Sequence, residues 1–173
     1  QEWRKNPANK GVTVAGDDRS PGWTWQTYCY HDGEHVVMPS ENVMVALRQA
    51  GAQMILKKQK TFKEITQSGL LISTEACEFR NDGKQIKWSD LVAMREMTFA
   101  QQSAASKKLG FDLFVKRARV GTSKHIRVRP KFSKWSVTGD IMVLKPEITA
   151  EILVQLFELA GKAGLCDWRP AGK

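Results

Sequence analysis

The stretch Phe111–Trp135, FDLFVKRARVGTSKHIRVRPKFSKW, decides the fold class of the chain. Two runs in which apolar residues are interleaved with charge, FDLFVKRARV and KHIRVRPKF, flank Gly121-Thr122-Ser123, an order that spells strand, turn, strand. Side chains alternate along a strand, so Ile126 and Val128 are expected to face a core. His125, Arg127, Arg129 and Lys131 are then expected on the other side, in one row. Between Lys116 and Lys134 the segment holds eight lysines and arginines and no acid, Asp112 and Asp140 being the nearest acids. An edge strand defended by charge explains one or two lysines. The acid-free length is better explained by a surface for a polyanion.

Outward from this segment, KWSVTGDIMVL is expected as a further strand with Trp135, Val137, Ile141 and Val143 on one face. Next comes the clearest helix of the chain. Thr149 is its N-cap, Ile148 and Leu153 are spaced for a hydrophobic staple, and Ile152, Leu153, Leu156, Phe157, Leu159 and Ala160 form the buried stripe. Glu151, Gln155, Glu158 and Lys162 are the wet face. Gly161 or Gly164 ends the helix, and GLCDWRP leads toward a final strand.

Upstream, Ser40 is the expected N-cap of a helix with Glu41 in its first turn and Val43, Leu47, Ala50 and Met54 at helical spacing. A basic loop KKQK follows, then a short helix in TFKEITQSGLLI with Thr61 and Glu64 in capping-box spacing and a stop at Ser68-Gly69. CEFRNDGKQIKW is expected as a hairpin about Asn81-Asp82-Gly83, and SDLVAMREMTFAQQSAASKKLG as a helix with an irregular stripe ending at Gly110. WTWQTYCYHDGEHVVMP is expected as two short strands about Asp32-Gly33, with Trp23, Trp25, Thr27 and Cys29 on one face. Residues 1–22, rich in Gly, Pro, Asn and Asp, form an irregular arm. The expectation is one α+β domain over residues 23–173, with helices on one face of an antiparallel sheet and residues 73–110 as an inserted hairpin and helical segment.

Composition narrows the partners. The chain has 173 residues, 27 lysines and arginines against 18 acids, and a formal charge of +9. That balance favours nucleic acid first and an anionic membrane second. Six tryptophans argue against disorder. Cys29, Cys77 and Cys166 are far apart and form no CxxC pair, which points to a reducing compartment rather than a disulfide framework or a zinc site. No apolar run approaches the roughly 20 residues that span a bilayer, and no signal peptide is evident. The expected location is therefore the cytoplasm. The start at Gln1 and the end on RPAGK carry the expectation that a terminal strand lies beyond the printed sequence.

The candidate contacts to a polyanion are Lys116, Arg117, Arg119, Lys124, His125, Arg127, Arg129, Lys131 and Lys134. Lys57, Lys58 and Lys60, with Lys63 beside them, form a second basic cluster, and Arg169 is an outlying candidate. In YHDGEHV, His31, Asp32, Glu34 and His35 are metal-ligand types, but Asp32-Gly33 marks a turn, and ordinary turn chemistry is expected there. His125 is the single candidate for catalysis, as the acid or base of a metal-independent ribonuclease, and it lacks a clear second partner. Ser and Cys nucleophile signatures and the Walker-type loop are absent, and no cofactor is expected.

The blocks PSENVMVALRQAG, KTFKEITQSGLLI, RVRPKF with Trp135, and AGKAGLCDWRP resemble a family of phage and prophage proteins of unassigned function. The strand–strand–helix order and the glycine-rich C-terminal segment more loosely resemble the RAMP superfamily of CRISPR systems. Those are ferredoxin-like, RRM-related domains that bind guide RNA, and some of them cut it. The resemblance implies a ferredoxin-like (RRM/RAMP-like) sheet and a phage-type protein in a bacterial host cell. From the residues themselves, the expected function is non-catalytic binding of RNA or single-stranded DNA through a basic sheet face, since no helix combines strong basic charge with a recognition-helix pattern. No membrane partner is expected. Self-association or assembly with other phage or CRISPR-like proteins is a further expectation. The competing expectations are a RAMP-type endoribonuclease using His125 and a self-assembling phage structural protein.

Overall fold

A computed structural model describes residues 22–57, 60–120 and 123–165, without the side chains of residues 22, 23, 57, 117–120, 123–125 and 163. Helices and short strands mix along the chain, and the strands of the described residues form one three-stranded and three two-stranded sheets with antiparallel pairing in each. The chain divides into two compact units. The first takes in the residues up to Val36 together with Phe79–Ser136, the second Val37–Glu78 together with the residues from Val137 onward.

In the second unit, β1 (Val37–Pro39) runs directly into α1 (Ser40–Gly51). Pro39, not Ser40, holds the cap position, because the Ser40 hydroxyl and amide both donate to the Glu75 carbonyl at 3.1 Å. Glu41 complements the start of the helix and accepts from Arg48 at 2.8 Å. α1 ends at Gly51, where a Cβ would collide with the Thr66 hydroxyl of the next helix.

The KKQK segment is not a plain loop. β2 (Ile55–Lys57) and β3 (Lys60–Thr61) pair antiparallel, with residues 58–59 outside the described part. This pairing takes Thr61 into a strand, so the expected capping box does not form. α2 (Lys63–Gly69) starts after Phe62 without a side-chain cap. β4 (Leu70–Ile72) then pairs with β9 (Ile141–Val143), Leu71 opposite Met142.

Thr149 caps α5 (Ala150–Ala163), its hydroxyl accepting from the Ile152 amide at 3.4 Å. Leu156 and Ala160 of α5 join Ala46, Leu47 and Ala50 of α1, Leu70 of β4 and Ile148 in one buried cluster, and Leu153 packs against it. Phe157, expected in the stripe, is exposed. At 100° per residue it falls off the face centred on Leu156 and Ala160. The helix ends at Gly164, at a positive φ of 77°. The expected final strand lies outside the described residues.

The first unit departs most from expectation at WTWQTY. Gly22–Tyr28 is a 3-10 helix, not a strand. Thr24, Trp25 and Gln26 are all buried, which a strand with one core face does not allow. Trp25 is held from both ends. Its indole N–H donates to Gln102 Oε1 at 2.9 Å, and its ring meets Phe111 edge-on. The Asp32-Gly33 turn does form. Asp32 Oδ1 accepts from the Glu34 and His35 amides at 2.8 and 2.7 Å, and His31 bridges to Val36.

β5 (Ala76–Asn81) ends in the expected turn. Asp82 and Gly83 both take positive φ, 49° and 77°, as a type I′ turn requires. The returning arm is a single bridge, Asn81 to Lys84, and the neighbours of β5 are β1 and β8 (Trp135–Thr138). The long helix expected over 89–110 is two, α3 (Trp88–Val92) and α4 (Phe99–Lys108), the second opened by a Thr98–Gln101 capping box. The irregular stripe of the sequence is this break. KWSVTGDIMVL is likewise two strands in separate sheets, parted at Gly139, where a Cβ would come within 2.8 Å of Cys77 Sγ. Phe79, Phe111 and Phe132 pack as an aromatic cluster at centroid distances of 4.8 and 5.1 Å. No helix among the described residues is long and apolar enough to cross a membrane.

Candidate functional site

The segment FDLFVKRARV–KHIRVRPK forms β6 (Asp112–Val120) and β7 (Ser123–Lys131), which among the described residues pair only with each other. The register runs from Asp112 opposite Lys131 to Val120 opposite Ser123. At about 3.4 Å per residue the ribbon is roughly 30 Å long. Ser123, expected in the turn, already belongs to β7, and Gly121 and Thr122 lie outside the described residues. Opposed residues share a face in an antiparallel pair, so the register sorts the charges. Lys131, Arg129 and Arg127 share one face with Asp112, Phe114 and Lys116, and Leu113, Val115, Ile126 and Val128 fall on the other. The register places Arg117 opposite Ile126 and Arg119 opposite Lys124.

The core reaches only the base of the ribbon. Val128 is 3% exposed, but Ile126, expected to be its inward companion, is 61% exposed. Alternation assigns both to one face; the packing that covers Val128 does not extend to Ile126. The basic row is also uneven. Lys116 and Lys131 are exposed, Arg127 and Arg129 half-buried. The Arg129 guanidinium lies 4.4 Å over the Tyr28 ring and donates from Nη1 to the Val128 carbonyl at 2.9 Å. Tyr28 is nonetheless 36% exposed, and Phe114, opposite Arg129, is 42% exposed.

Lys134 stands apart from the row, after the end of β7. Its ammonium is 4.0 Å from the exposed Asp82 carboxylate, and its carbonyl accepts from the Asp82 amide at 2.7 Å. His125 lies opposite Ala118, and its side chain, like those of Arg117, Arg119 and Lys124, is outside the described part. In the second basic cluster, Lys57 is opposite Lys60 in β2–β3, and Lys60 is exposed. Both belong to the second unit, while β6–β7 belongs to the first. Lys58 and Arg169 lie outside the described residues.

Tyr28 and Phe114 were not among the candidates. Phe114 carried a signal, since it alternates in phase with Asp112 and Lys116 and so interrupts a polar row with an aromatic ring. Tyr28 carried none, because its position follows from the 3-10 helix. A second aromatic group was equally hidden. His31 stacks face to face on Trp88 at 3.8 Å and 7°, with the Arg95 guanidinium 5.6 Å from the Trp88 centroid. His31 is thereby a stacking partner, and His35 bridges to Lys87 instead. Among the described residues, no three His, Cys, Asp or Glu side chains gather where a metal ion would sit.

Electrostatics limit the chemistry available. Burial pushes the Cys29 thiol up to about 12, against an opposing pull from Arg129, so the sulfur stays protonated at neutral pH and is a poor nucleophile. Hydrogen bonds from the His35 and Glu34 amides lower Asp32, a turn carboxylate held ionised. The Thr149 side chain does the same to Glu151 at the start of α5. These are structural settings, and neither carboxylate belongs to the ribbon. Comparison of the chain with family descriptions, with curated proteins and with solved structures gives no match.

Proposed function

We propose that this chain binds nucleic acid, RNA or single-stranded DNA, non-catalytically, by holding phosphates along the β6–β7 ribbon. The register carries the reading: Lys116 is opposite Arg127, with Arg129 and Lys131 on the same face. Directly opposed like charges are unfavourable in a strand pair and concentrate positive potential at that level of the ribbon. A phosphate backbone suits a face so charged, and arginine adds bidentate geometry to the contact. Release of condensed counterions then gives binding with little sequence preference.

A phage or prophage role in the bacterial cytoplasm belongs to the same proposal, on the sequence blocks that resemble that family. So does a ferredoxin-like ancestry of the RAMP kind, on the order β8, β9, α5 near the C-terminus. Assembly with copies of itself or with related proteins is compatible with either.

Salt dependence tests the reading. If Lys116, Arg127, Arg129 and Lys131 each meet a phosphate, log K against log salt has a slope of about −2.8 on a single strand. Affinity then falls roughly fifty-fold between about 50 and 200 mM. Fluorescence anisotropy of a labelled oligonucleotide measures it. Absence of binding at the lower salt, or binding indifferent to salt, refutes the proposal.

A further inference from the structure

We infer that Phe114, Arg129 and Tyr28 form a stacking ledge for unpaired nucleobases, so that the ligand of the ribbon is single-stranded. The inference rests on the reading of the ribbon as a nucleic-acid site and adds to it what the bases do.

Phe114 is the starting point. Its face of the ribbon is otherwise polar where side chains are described: Asp112 and Lys116 flank it along β6, and Lys131, Arg129 and Arg127 line β7. The core takes Phe111 and Val128 and leaves Phe114 42% exposed. Across the ribbon from it, the Arg129 guanidinium lies 4.4 Å over Tyr28, itself 36% exposed. Two accessible rings and a planar cation thus meet at one level of the ribbon. Arginine planes and aromatic faces are the two surfaces on which bases stack without regard to sequence.

The neighbouring level supplies the backbone contact. Lys116 and Arg127 are one step toward the tip on the same face, about 7 Å along the strand. A base on Phe114 therefore leaves its own or the next phosphate within reach of two cations. Alternating aromatic and cationic positions of this kind suit a strand whose bases are splayed, and bases paired in a duplex cannot use them. The acid on this face near the ledge, Asp112, has Lys131 directly opposite.

The test uses anisotropy at low salt with three labelled probes: an oligothymidylate, an abasic strand of equal length, and a blunt duplex. Wild-type protein should bind the oligothymidylate about tenfold more tightly than the abasic strand, and more tightly than the duplex. Phe114→Ala should lose that factor on oligothymidylate and bind the abasic strand as wild type does, which also reports that the variant is folded. Phe114→Leu keeps apolar bulk without the ring and should match Phe114→Ala, whereas Phe114→Trp should bind at least as tightly as wild type. Equal wild-type affinity for base-bearing and abasic strands overturns the ledge and leaves the phosphate reading standing. So does a Phe114→Leu variant that keeps full affinity, or tighter binding of the duplex. Failure of wild type to bind any of the three probes overturns both readings.

Discussion

Lys116 is exposed and stands opposite Arg127, so Lys116→Glu converts a like-charge cross-strand pair into an opposite-charge one. Cross-strand charge pairs are worth about 0.2–1 kcal/mol each, unfavourable when like and favourable when opposite. Solvent screening at an exposed site holds the swing near the low end, about 0.5 kcal/mol of added stability. For a chain of this size that is a rise in Tm of about 1–2 °C. Binding moves the other way. Loss of one phosphate contact makes the salt slope shallower by about 0.7 and costs close to tenfold in affinity at about 50 mM salt, before repulsion by the new carboxylate. Thermal unfolding and anisotropy on the same preparation check both. A variant at least as stable as wild type that binds with unchanged affinity and salt slope refutes the interface. A variant that loses several degrees refutes the cross-strand pairing from which the magnitude was worked.

Two buried glutamines of the first unit should respond oppositely to the same substitution. Gln26 is fully buried with no hydrogen-bond partner for its amide among the described residues, so Gln26→Met should add about 1 kcal/mol in urea unfolding, and a loss of stability would contradict that assignment. Gln102 accepts from Trp25 Nε1 and donates to the Met94 and Met97 carbonyls, so Gln102→Met should cost about 2–4 kcal/mol, and unchanged or raised stability would contradict its role. Cys29 sets an alkaline limit. Its thiol titrates near 9.0 when unfolded and is raised to about 12 when folded, so its contribution is complete below about pH 9 and is lost as pH rises toward 12. Stability of wild type should therefore fall relative to Cys29→Ala across that window, and parallel curves would contradict the burial of the sulfur.

What was legible in the sequence was local. The β6–β7 hairpin, the Asp32-Gly33 and Asp82-Gly83 turns and the Thr149-capped α5 are each specified by residues within a few positions of one another, and all four form. The failures came where a distant partner decided. WTWQTYC reads locally as a strand, but Trp25 is buried with its indole held by Gln102, 77 residues away, and the segment is a 3-10 helix. Thr61 lost its capping role to a pairing with Ile55. Alternation named the faces of the ribbon but not how far a covering layer extends along them. Val128 is covered and Ile126, two residues on, is bare.

The same limit divides the basic row. Near the base of the ribbon, Arg129 is committed to Tyr28 and to the Val128 carbonyl. Reversing its charge would break a cation–π contact, a hydrogen bond and the local field that opposes the rise of the Cys29 thiol, so loss of binding in Arg129→Glu would not separate interface from fold. Lys116 is exposed, on the same face and one step closer to the tip. Its reversal also favours the strand pairing rather than opposing it. Of the two, the cation whose reversal separates binding from the strand pairing is therefore on β6, the strand whose charges alternation alone had left unsorted, and not in the β7 row that first drew notice.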